Sequence, residues 1–142
     1  MKKTTYLLVL LGMLNCQRER EITPRAVQLI EGRWEAIAWN PPANGKKDWK
    51  EINRDKRSWM LIFRSDGVPV DADGLGMCCP PNSLLVNGSL FFIKPKLPLP
   101  SNGSKCAGLW CRSCETIEIQ VTDDNLLWTD CIGVSTRYRR LP

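Results

Sequence analysis

Apolar and polar residues alternate one by one through several short stretches of this chain, and turn residues separate those stretches. Ile117, Ile119 and Val121 interleave with Thr116, Glu118 and Gln120. Arg33 and Glu35 point one way along Arg33 to Trp39, while Trp34, Ala36 and Ala38 point the other. A period of two is the mark of a strand with one buried face. Trp59, Leu61 and Phe63 share a face in the same manner, and Asp66-Gly67 makes a turn into Val68 to Asp71. Leu84 to Val86, Asn87-Gly88 and Ser89 to Ile93 form a hairpin signal, because Asn-Gly supplies the two positive φ angles of a tight turn. Further strands are expected at Leu126 to Cys131 and Thr136 to Arg140, and Asp48 to Asn53 suits a short helix as well as a strand. About seven to nine strands, each with one apolar and one polar face, predict an all-β domain. An antiparallel up-and-down barrel removes exposed edges, with a sandwich as the alternative. Pro24 to Ile30 is expected to form a short helical turn, with Thr23 as N-cap, Pro24 at the first helical position and Gly32 ending it.

Seven cysteines bound the compartment. Cys16 closes an N-terminal segment with Lys2 and Lys3 followed by the apolar run Tyr6 to Leu14. A basic start and a run of about 10 apolar residues have the proportions of a signal peptide. Such a run is too short for a bilayer-spanning helix, which takes about 20 residues. Leu11-Gly12-Met13-Leu14-Asn15-Cys16 resembles a bacterial lipoprotein signal, in which the cysteine is lipidated and becomes the mature N-terminus. That resemblance implies a signal over 1–16, a polar tether over 17–23 and a single domain over 24–142. It also implies an anchor to the membrane of the cell envelope, facing the periplasm or in the outer membrane. Ordinary secretory cleavage, leaving Cys16 free, is the alternative.

Cys78, Cys79, Cys106, Cys111, Cys114 and Cys131 remain, an even set in an oxidising compartment, so up to three structural disulfides are expected in the loops. Cys114 and Cys131 flank a hairpin at similar distances from its turn, which favours their pairing. Adjacent Cys78 and Cys79 are expected to reach different partners, because a vicinal bridge strains its own peptide unit. Cys111-Arg112-Ser113-Cys114 leaves a zinc site or a thiol oxidoreductase as alternatives.

The formal net charge of +5 is mild and does not imply nucleic acid. Lys46, Lys47, Lys50, Arg54, Lys56 and Arg57 gather locally but are interleaved with Asp48, Glu51 and Asp55, as on a solvated loop; an anionic glycan or lipid headgroup is the sharper reading. The chain has no histidine. It therefore lacks the commonest general base and metal ligand, and no recognisable catalytic constellation appears. A non-enzymatic monomer is expected.

Gly32-Arg33-Trp34 opening a strand after a short helical turn, with an arginine on the last strand, resembles the lipocalin-like domains of small bacterial lipoproteins. Leu61-Ile62-Phe63 before Asp66-Gly67, and the paired cysteines before a hairpin, are similar to the same group. The resemblance implies that Gly32 and Trp34 close one end of a barrel and that a late arginine packs across the indole. Arg137 and Arg139 share a strand face and are the candidates, with Arg140 on the other face. It further implies a small, partly apolar ligand inside the barrel, near Ala36, Ala38, Trp59, Leu61, Phe63, Phe91 and Trp128. The loops over 40–47 and 94–105 are long enough to reshape a cavity mouth. The alternative is a filled barrel acting as an interaction module, whose disulfide-braced loops bind an envelope protein or a glycan through Trp39, Trp49 and Trp110.

Overall fold

A computed structural model describes residues 24–42, 48–53, 59–100, 102–108 and 114–142. Cys16, the signal and tether, Thr23, Trp110 and Cys111 lie outside the described residues, as do Lys46, Lys47, Arg54, Asp55, Lys56 and Arg57. Helix α1 (Arg25–Ile30) leads into strands β1 (Gly32–Asn40), β2 (Lys50–Glu51), β3 (Met60–Phe63), β4 (Pro69–Val70), β5 (Ser83–Val86) and β6 (Ser89–Phe92). A short helix α2 (Gly103–Cys106) precedes β7 (Thr116–Thr122), β8 (Asn125–Thr129) and β9 (Ser135–Arg140). Pro24 is the N-cap of α1 rather than its first residue, and its carbonyl accepts from the amides of Val27 and Gln28.

The nine strands form one sheet in the order β4-β3-β1-β9-β8-β7-β5-β6, with β2 added to β1, and the sheet curls into a half-barrel. The expected up-and-down order therefore does not hold. The long connection between β6 and β7 carries the chain back to the start of β5, so β7 runs parallel to β5, while the other strand pairs are antiparallel. A parallel pair needs a crossover of about a dozen residues or more, and this connection supplies it. The hairpin at Asn87-Gly88 forms as its sequence demands, with φ of 46° and 82° at the two turn residues.

The inner face of the sheet carries one core. Trp34, Leu61, Phe63, Leu84, Val86, Ile117, Ile119, Leu126 and Trp128 are buried together with Ile30 of α1. The register places Trp34 opposite Leu61 on one side and Arg140 on the other. A bulge between Ala36 and Ala38 breaks the alternation of β1: Ala36 faces Tyr138, but Ala38 faces Arg137 on the outer side. One extra residue reverses the parity of everything after it. Ala38 therefore does not share a face with Trp34 and Ala36.

Two disulfides brace the loops, Cys78–Cys106 and Cys114–Cys131, and Cys79 is disulfide-bonded as well. The expected Cys114–Cys131 pairing and the separate partners for the adjacent cysteines are both observed. Sulfurs held in these bonds offer neither thiolate ligands for zinc nor free thiols.

Candidate functional site

Two places stand out: the junction of α1 with Trp34, and the seam where the sheet does not meet itself. At the first, α1 ends against the start of β1. The last carbonyls of a helix have no partner within it and need one from elsewhere. Here Trp34 Nε1–H donates to the Ile30 carbonyl at 2.7 Å, and the Arg140 guanidinium donates to Leu29 at 2.6 Å and to Glu31 at 2.8 Å. The same guanidinium lies 4.2 Å from the centre of the Trp34 ring. It also brings positive charge to the negative end of a helix. Gly32 has φ of 123°, and a Cβ there would stand 3.3 Å from Arg140 Nη1, so only glycine fits without strain.

The arginine on Trp34 is thus Arg140, not Arg137 or Arg139. Tyr138 and Arg140 point inward, while Arg139 pairs with Glu35 at 3.0 Å on the outside and Arg137 lies over the Trp49 ring at 3.9 Å. Burial pushes the Tyr138 hydroxyl up to about 12, against a small opposing effect of its hydrogen bond to Thr136. Its ring stands opposite Ala36 and packs on the core. It therefore takes the space that a small residue beside aromatics had suggested for a ligand.

At the seam, β4 and β6 are the two ends of the strand order. The turn between β3 and β4 is drawn to β6 instead of pairing with it by a ladder. Gly67 sits so close that a Cβ would run into the Phe91 ring. Asp66 is buried and organises this turn: it accepts from Arg64 at 2.7 Å and from the Val68 amide at 3.4 Å. It also accepts from the Lys96 amide at 3.0 Å, which ties the segment after β6 to the turn. Between these pieces and α1 lies a groove of about 430 Å³, lined by Pro24, Val27, Ser65, Asp66, Leu90, Phe91, Phe92, Lys94 and Lys96. A second groove of about 330 Å³ lies over β7, β8 and β9, lined by Ile37, Gln120, Leu127 and Arg137 among others.

Of the residues expected to line a ligand cavity, Leu61, Phe63 and Trp128 belong to the core, and the Phe63 and Trp128 rings are 6.2 Å apart. Ala36 is buried beside Tyr138, Ala38 lies on the outer side, and Trp59 is exposed just before β3. Phe91 alone reaches the seam groove. Leu90, Phe92, Lys94 and Lys96 were not foreseen. Their signal was present, because Leu90-Phe91-Phe92-Ile93 is apolar without interruption, so β6 departs from the one-apolar-face pattern.

After β4, Lys105 beside Cys106 bridges Asp71 at 3.2 Å and Asp73 at 2.8 Å. Slight burial works against the Asp71 charge, but the Leu75 amide, Lys105 and the Asp73 amide together hold its carboxyl below the usual range. These contacts occupy the two aspartates as loop-forming groups. No family model, curated protein or solved structure matches the chain.

Proposed function

We propose that the protein is a lipid-anchored binding protein of the bacterial cell envelope with a lipocalin-like half-barrel, holding a small, partly apolar ligand in the seam groove. The groove carries this reading. It has the size of a small-molecule site, and apolar walls with a few polar groups at the rim are the usual composition of such sites. The clasp of Trp34, Arg140 and the end of α1 supports the lipocalin-like fold, since it is the arrangement the resemblance leads one to expect. The oxidised cysteines support an oxidising compartment.

Native mass spectrometry of the full chain purified from its producing envelope tests the proposal. An added mass that organic solvent removes, and that Phe92→Ser or Leu90→Ser sharply reduces, is the expected result. A bare chain that also takes up no apolar dye would overturn ligand binding. The packed positions of Leu61, Phe63 and Trp128 favour the interaction module as the reading that then replaces it.

A further inference from the structure

We propose that the outer face of β6 and the segment that follows it form the surface on which the domain lies against an anionic lipid bilayer. This rests on the anchored reading above. Leu90, Phe92 and Leu97 are 54%, 61% and 65% exposed. Leu90 and Phe92 are two residues apart on a strand, so they project from one face. Large apolar side chains gathered on a strand at the end of a sheet are an aggregation hazard unless something covers them. Lys94 and Lys96 alternate with Pro95 and Leu97 directly after the strand. No carboxylate occurs anywhere in the chain between Asp73 and Glu115. The nearest buried one, Asp66, is engaged by Arg64 and by the Lys96 amide. Exposed Leu90, Phe92 and Leu97 with Lys94 beside them fit an anionic headgroup layer in both hydrophobicity and charge, and Glu118, on the same face two strands away, sets the edge of the patch.

The chain's entry point selects a bilayer over other occupants. Pro24 lines the same groove as Leu90 and Phe92. Only residues 17–23 separate it from Cys16, a span of at most about 28 Å when fully extended. A lipid group on Cys16 therefore lies within that reach of the groove beside Pro24. With this face down, the seam groove opens toward the layer from which an apolar ligand would come.

The test is hydrogen exchange on the full, natively processed protein in detergent, in phosphatidylcholine vesicles, and in vesicles with added phosphatidylglycerol. The mass of Cys16 is read first. Acylated protein should show exchange over 89–97 slowed by about tenfold on the anionic vesicles, with β8 unchanged. Lys94→Glu with Lys96→Glu should remove the difference between the two vesicle types, and Phe92→Asp should abolish the slowing. Acylated protein with equal exchange in all three media overturns the docking face and leaves the anchor standing. An unacylated Cys16 overturns both. Protection in detergent that grows with protein concentration would show β6 pairing with a second copy, and would also overturn the proposal.

Discussion

Replacing Arg140 with alanine should destabilise the domain by about 2 kcal/mol, although the residue is a surface-reaching arginine. The figure is built from its contacts. Stacking on an indole contributes about 0.5–1 kcal/mol when water still reaches the cation, and the Arg140 side chain is 29% exposed. Each of its two hydrogen bonds to α1 carbonyls adds about 0.5–1 kcal/mol net, the lower end applying where water can substitute. Arg139→Ala is the internal comparison: it removes one outer ion pair, worth less than about 1 kcal/mol. Trp34→Ala deletes a fully buried indole and the bond to Ile30, and should cost about 3–5 kcal/mol. Arg140→Ala and Trp34→Phe, singly and together, form a cycle whose coupling should be about 1 kcal/mol, because ring and guanidinium share one contact. The assay is guanidinium unfolding followed by far-ultraviolet circular dichroism with the disulfides intact. An Arg140→Ala loss no greater than that of Arg139→Ala, or no coupling beyond experimental error, would refute the clasp.

Two further outcomes are expected. Tyr138 should ionise near pH 12 rather than 10, seen as phenolate absorbance of the chain processed at Cys16, in which it is the sole tyrosine because Tyr6 falls in the expected signal. Below about pH 10 the residue is neutral whether folded or unfolded and contributes no pH dependence. From about pH 10 to 12 the unfolded chain loses this proton first, so stability falls as pH rises, by about 3 kcal/mol in all; a midpoint near 10 would contradict its burial. Replacing Cys78 and Cys106 together by serine should lower stability by about 2–4 kcal/mol, given their sequence separation of 28. A loss under about 1 kcal/mol would show that the bridge constrains little.

Local signals were legible in the sequence where they act alone. Asn87-Gly88 specified its hairpin, Ile117 to Val121 its strand, and Trp34 its burial. What escaped was parity and topology. A single bulge after Ala36 moved Ala38 to the outer side, and no residue type in Ala36-Ile37-Ala38 announces it. Arg140 shares the inner parity of Tyr138, two residues before it, whereas Arg137 and Arg139 alternate to the outer face. The parallel β5–β7 pair joins Ser83–Val86 to Thr116–Ile119, and the seam groove gathers Pro24, Asp66, Phe91 and Lys96, all far apart in sequence and without a shared motif.

The pairing of β1 with β9 has a consequence for how the domain is completed. β1 appears first and is flanked on one side by β3, yet its other side, the cap of α1 and the lid over Trp34 all wait for the strand that is made last. Closing so long a loop is entropically unfavourable until β8 and β9 have formed their own hairpin to dock as a unit. A nascent chain lacking Ser135–Arg140 would leave the indole uncovered and the carbonyls of Leu29 and Glu31 without their partner. Such a chain stays open until Ser135–Arg140 is available, which would suit the export that the proposed function entails.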